Sequence, residues 1–168
     1  MASYAIYERR GTPITWMNTG GDKLLNLKNL GFGAGRLGAF VDRGEGATPC
    51  DYEVRVWCAW QANPTAGEVA NVAVCQSDGT HTDAGLTFHA SNDAALNLSQ
   101  FNAIPVQAGA VIAHTADTAE KGSVFRVRVT SRYFAPALYN ASAAKNLADS
   151  DGVSAIVMTP IHAEIVKL

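Results

Sequence analysis

Residues 52–60 read Tyr52-Glu53-Val54-Arg55-Val56-Trp57-Cys58-Ala59-Trp60, and this stretch decides the fold class. Tyr52, Val54, Val56, Cys58 and Trp60 take one set of alternate positions, while Glu53, Arg55 and Trp57 take the other. Successive side chains of a strand point to opposite faces, so this period of two describes a half-buried strand with the Tyr52 set towards the core. Trp57 falls in phase with the charged residues. An aromatic there either covers a second layer or belongs to an interface.

The same period recurs along the chain. Leu37, Ala39 and Val41 alternate with Gly38, Phe40 and Asp42, and the run stops at Gly44-Glu45-Gly46. Asn63-Pro64 marks a turn, and residues 69–76 form a Val- and Ala-rich strand, so residues 52–76 are expected to form a hairpin. Val124, Arg126 and Arg128 alternate with Phe125, Val127 and Val129, and Tyr133-Phe134 carries the pattern towards Pro136. Residues 111–114, 137–140, 155–159 and 163–166 supply further strands, with Pro160 at a bend or sheet edge. Residues 93–98 suit a short helical turn or loop. No segment long enough for an ordinary helix holds an i, i+3, i+4, i+7 apolar pattern. The expectation is an all-β fold, an antiparallel β-sandwich of jelly-roll type.

The chain has 168 residues, 48% hydrophobic and 17% charged, enough to bury a core and too apolar for disorder. Because 28 of the apolar residues are Ala, the core relies on Val, Ile, Leu and the aromatics. Net charge is −2 with no basic block, which argues against nucleic acid as a partner. The opening residues MASYAIYERRGTPITW lack the apolar run of a secretory signal, and no window resembles a membrane span. Synthesis in the cytoplasm is expected, with Cys50, Cys58 and Cys75 as reduced thiols.

Residues 1–35 read as an extended N-terminal arm, and residues 36–168 as the sandwich domain. In the arm Gly11, Pro13, Gly20, Gly21, Gly31, Gly33 and Gly35 break any period, while Tyr4, Ile6, Tyr7 and Trp16 remain adhesive. Such a segment is stable only against its own domain or a neighbouring chain.

Chemical motifs are sparse. Gly33-Ala34-Gly35-Arg36-Leu37-Gly38 matches GxGxxG, but no buried strand precedes it and a strand follows it, so no helix N-terminus is available for a pyrophosphate. His81, His89, His114 and His162 show no ligand spacing, and Asp78 with Asp83 suits a solvated turn better than a cation loop. There is no G-x-S-x-G, and the carboxylates are scattered. No catalytic residue, cofactor or metal site is assigned, and no enzymatic activity is expected. Arg126, Arg128 and Arg132, with Arg55 on another strand, would form a basic stripe if their strands are neighbours. That face could dock an acidic protein surface.

One further pattern lies in Ala94-Ala95-Leu96-Asn97-Leu98, Asn102-Ala103-Ile104, Gly109-Ala110-Val111, His114-Thr115-Ala116, residues 132–140 and residues 157–164, with residues 35–42 leading to the strand at Tyr52. Together these resemble virion structural proteins of tailed bacteriophages, in particular capsid decoration or cement proteins. The resemblance implies a non-enzymatic protein of the capsid surface that binds across major capsid protein subunits, as a trimer or dimer. In that setting Tyr4, Ile6, Tyr7, Arg9, Arg10 and Trp16 of the arm, with Trp57, Arg126 and Arg128 of the sandwich, become the expected partner contacts. Other readings are a tail or other virion-surface protein, a carbohydrate-binding sandwich stacking sugars on Trp57, Trp60 or Tyr139, and a metal-assisted hydrolase using the histidines.

Overall fold

A computed structural model describes residues 4–48, 50–113 and 121–167. In chain order the strands are β1 (Tyr4–Arg10), β2 (Ile14–Met17), β3 (Lys23–Leu24), β4 (Gly35–Leu37), β5 (Val41–Asp42), β6 (Cys50–Cys58) and β7 (Val69–Ser77). There follow β8 (Ala94–Leu96), the short helix α1 (Leu98–Ala103), β9 (Val106–Ile112), β10 (Lys121–Val129), β11 (Tyr133–Asn140) and β12 (Ala155–Lys167). The fold is an all-β sandwich of two largely antiparallel sheets.

The first sheet runs β10-β6-β12-β2-β3, with β1 also on β12; the second runs β8-β4-β11-β7-β9, with β5 also on β11. Two of these strands are broken in the middle. β2 pairs Met17 with Ala155 through Ile14 with Met158, and β1 resumes on the same side of β12 from Arg10 with Ile161 to Tyr4 with Lys167, one residue out of step. The slip falls at Pro160, whose carbonyl accepts the Gly11 N–H at 2.8 Å. A proline is tolerated there because the ladder is already interrupted. β4 and β5 form a similar broken strand on β11. Counting each broken pair once, every step from one long strand to the next crosses between sheets, except β7 to β9.

The expected hairpin of residues 52–76 is therefore not one: β6 and β7 lie in different sheets. Both carry a row of large apolar side chains, and facing each other across the core buries both rows. Residues 163–166 likewise do not make a separate strand but continue β12.

Between the sheets, Tyr52, Val54, Val56 and Cys58 of β6, with Ile156 and Met158 of β12, meet Val72, Val74, Phe134 and Leu138. Trp16 stands at the centre, wholly buried. Its Nε1 donates to the Ala39 carbonyl at 2.7 Å, its ring meets Phe134 edge-on at 5.8 Å, and Gly38 lies so close that a Cβ there would sit 2.8 Å from Cδ1. Leu25, Leu27 and Leu30 join the same core. Two glycines of the GxGxxG match thus serve packing, Gly35 against Leu96 and Tyr139 and Gly38 under Trp16, while Gly33 takes a positive φ of 71°.

A second apolar layer lies on the far side of the second sheet. Ala73 faces Ala137 and Cys75 faces Ala135 across β7 and β11, giving a floor of small side chains. Leu37, Phe40, Leu96, Phe101 and Ile104 cluster with them. α1 is held there by a capping box, in which Asn97 Oδ1 accepts from Gln100 N at 2.9 Å and Gln100 Oε1 accepts from Asn97 N at 3.0 Å. The second sheet is consequently covered on both faces. The outer face of the first sheet is not.

At one side of the sandwich β9 meets β10. Val72 opposes Gly109 and Ala73 opposes Gln107, so β9 carries a bulge, and Phe125 of β10 packs against Gly109. A Cβ on residue 109 would come within 2.2 Å of that ring. Gly109→Ala is expected to turn Phe125 outwards and cost about 1–3 kcal/mol, read as a lower midpoint in thermal unfolding. Trp16→Ala should cost about 3–5 kcal/mol in urea unfolding, through the lost ring and the cavity it leaves.

Candidate functional site

The open face of the first sheet carries Glu53, Arg55 and Trp57 from β6, Val124, Arg126 and Arg128 from β10, Val157 and Ile161 from β12, and Glu8 and Arg10 from β1. β6 and β10 are neighbours, as the expected stripe requires, but the register sets Arg126 against Glu53 and Arg128 against Asp51. β1 adds its own charges. Arg10 grips Glu53 through two bonds of 2.8 and 2.5 Å, and Arg55 Nε reaches the same carboxylate at 2.7 Å. Arg126 bonds Glu8 at 2.5 Å, and Arg128 reaches Asp51 at 3.3 Å.

The arginines therefore stand in a ladder of both signs rather than a basic stripe. Hydrogen bonds from Arg55 and Arg10 hold the Glu53 carboxyl below its usual range, and Glu8 raises Arg126 further. Exposed pairs like these contribute little to stability. Their effect is on which surfaces can approach, since a patterned face repels a misregistered partner. Arg132 belongs elsewhere. At the head of β11 its guanidinium forks onto Asp42 with two bonds of 2.7 Å and lies over the Tyr133 ring.

Beyond Asp51, which pairs with Ile161, β6 ends while β12 and β1 run on together as a two-stranded ribbon. Ile6 opposes Ile165 on one side; Ala5 opposes Val166 and Tyr7 opposes Glu164 on the other. Ile6 is 73% exposed, Ile165 69%, Tyr7 52% and Val166 38%. Among the described residues these are four of eight exposed large hydrophobics, which makes the ribbon the most adhesive place on the described surface. Arg9 extends to Glu164 at 4.0 Å.

Of the residues expected to meet a partner, Ile6, Tyr7, Arg9 and Arg10 lie on the ribbon, and Trp57, Arg126 and Arg128 on the open face. Tyr4 opens β1, but its side chain lies outside the described residues. Trp16 is corrected: the core encloses it completely, so it anchors this sandwich and offers no surface. Sequence reading missed Glu8, Asp51, Glu53, Ile165 and Val166. The signal for the last two was the alternation after Pro160, which shows its meaning only once β1 is laid beside it.

The aromatics proposed for sugar stacking do not gather. Trp60 and Tyr139 are buried, and Trp57 alone is half-buried, in register with the small residues Gly122 and Ala155. Asp78 accepts from the Thr80 and His81 N–H groups at 2.7 and 2.9 Å, and Asp83 from Gln76 N at 3.1 Å, so both carboxylates serve the turn. His81 and His89 are exposed; His114 lies outside the described residues. His162 stands at the ribbon base with Nδ1 3.9 Å from the Cys50 sulfur, in a groove of about 700 Å³. Among the described residues no three of His, Cys, Asp and Glu come together as a metal site.

The Arg132 fork and the Gly44 N–H hold the Asp42 carboxyl at about 2, against an ordinary 3.8. A depressed carboxylate stabilises the fold above its ordinary value and loses that contribution as pH falls through about 2. Urea unfolding followed from pH 4 to pH 2 should show stability falling, and Asp42→Asn should flatten that part of the profile. No protein family, curated protein or solved structure matches the chain.

Proposed function

We propose that the protein is a non-enzymatic structural component of a virion, a decoration or cement protein that clamps neighbouring major capsid subunits of a tailed bacteriophage head. The observation that carries this reading is the asymmetry of the sandwich. One sheet is covered on both faces, and the other has no layer over its outer face, which is set with paired charges and flanked by an apolar ribbon. A flat face of this kind suits docking across a seam between repeated subunits, where many modest contacts act together.

On this reading the sandwich is a jelly roll, an architecture used by viral capsid and lectin domains. The strand order supports it. With β1/β2 and β4/β5 each taken as one path and the paths numbered along the chain, the sheets run 6-3-8-1 and 2-7-4-5. Near-neutral charge fits a protein that coats a surface in many copies, where self-repulsion would oppose dense packing.

The test uses shells assembled from the major capsid protein encoded in the same genome. Added protein should co-sediment with them to saturation at a fixed number of copies per capsomer and raise their resistance to heat. Failure to bind, or absence of the protein from purified particles by mass spectrometry, overturns the proposal.

A further inference from the structure

Among the described residues the sandwich leaves several strand edges, and most are blunted. β3 and β8 close their sheets with two and three residues, too short to template another strand. β9 is bulged at Gly109 and abuts β10, where the Ser123 hydroxyl donates to the Ala110 carbonyl at 3.1 Å. The ribbon's β12 edge is flanked at its base by Arg43, Ala47 and Thr48, which share a groove with His162 and Ala163, and it has no ladder partner among the described residues past Ile161. β1 is different. Its outer edge runs over seven residues, holds no Gly or Pro, pairs with nothing among the described residues and belongs to a two-stranded ribbon. Two strands alone are marginal in water, and a third gives such a unit its stability.

We infer that β1 of a second copy of this chain occupies that edge, joining two molecules through a continuous sheet β12-β1-β1-β12 about a two-fold axis at Ile6. The sequence of β1 selects both occupant and register. An antiparallel pair of identical strands centres on one residue, and opposite residues share a face. Centring on Glu8 sets carboxylate against carboxylate, and centring on Arg9 sets guanidinium against guanidinium; both repel. Centring on Tyr7 puts Ile6 against Glu8 and Ala5 against Arg9. Centring on Ile6 puts Ile6 on itself and Tyr7 on Ala5. Because Ile6 already faces Ile165, that register lines up Ile165, Ile6, Ile6 and Ile165 in one apolar row across four strands. The row brings together the two most exposed large hydrophobics of the described surface.

Pairing over residues 4–8 buries less than the roughly 1,000 Å² of a permanent interface, so the association is weak and reversible. It requires no shell and stands or falls apart from the virion reading.

Sedimentation velocity on the full chain, from about one to a few hundred micromolar, should show a monomer–dimer equilibrium. Ile6→Lys, which puts the natural edge-blocking residue on the axis, should weaken it at least tenfold while leaving the circular dichroism melt in place. In a Cys50→Ser background, Ile6→Cys should form a disulfide-linked dimer on mild oxidation. Across the axis the Cα atoms of residue 6 stand about 4.5–5.5 Å apart, within disulfide reach. Glu8→Cys should not link, since its two copies lie roughly 13 Å apart. The cross-linking pair keeps the test independent of how Ile6→Lys folds. A wild-type chain that stays monomeric, or linking by Glu8→Cys as readily as by Ile6→Cys, overturns the inference. A monomer that binds shells leaves the virion reading standing without it, and a dimer that ignores shells does the reverse.

Discussion

Strand β12 is the constraint on which the rest of the molecule depends. Over residues 155–161 it is hydrogen-bonded to β6 on one side, and on the other first to β2 and then to β1. That double pairing sets β2 between β12 and β3 and presses Trp16 into the core, where the Ala39 carbonyl satisfies its indole N–H. It also fixes where β6 ends and the two-stranded extension begins. The ion pairs of the open face follow from the same geometry, because Glu8 and Arg10 reach Arg126 and Glu53 only with β1 docked on β12.

The abundance of Ala has a structural use that composition alone disguised. Alanine buries little surface, so 28 of them seemed to weaken the core. On β7 and β11 their small size lets Phe40, Leu96, Phe101 and Ile104 pack close to the sheet and form a second apolar layer. The molecule gains two layers of packing from one sheet. The cost falls on symmetry, since only the first sheet keeps a face for anything else.

How much of this was legible depended on the range of the interaction. The alternation at Tyr52 to Trp60 is local, and it gave both the strand and its buried face. The all-β class followed from the same kind of evidence. Sheet membership is not local: β6 and β7 looked like a hairpin because they are consecutive, yet their apolar rows face each other across the core. Gly11 and Pro13 made the N-terminal segment look irregular, when they only step the register of one long strand. The arginine stripe was right about neighbouring strands and silent about Asp51, Glu53 and Glu8, whose positions depend on register. Trp16 is adhesive, as a large apolar ring in a Gly-broken segment must be, but what it adheres to is its own core.

The long pairing of β12 has a consequence for how the chain acquires its structure. The first sheet holds residues from Tyr4 to Lys167 side by side, so its central strand is the last of that sheet to be synthesised. Until β12 arrives, β6 lacks the neighbour on one of its sides, and β1 and β2 have no antiparallel ladder to join. Contacts so distant in sequence make folding slow, and the entropy of closing the chain comes before any return from them. The first sheet therefore cannot close before β12 is made, and its apolar surface and unpaired strand edges are exposed to aggregation until then.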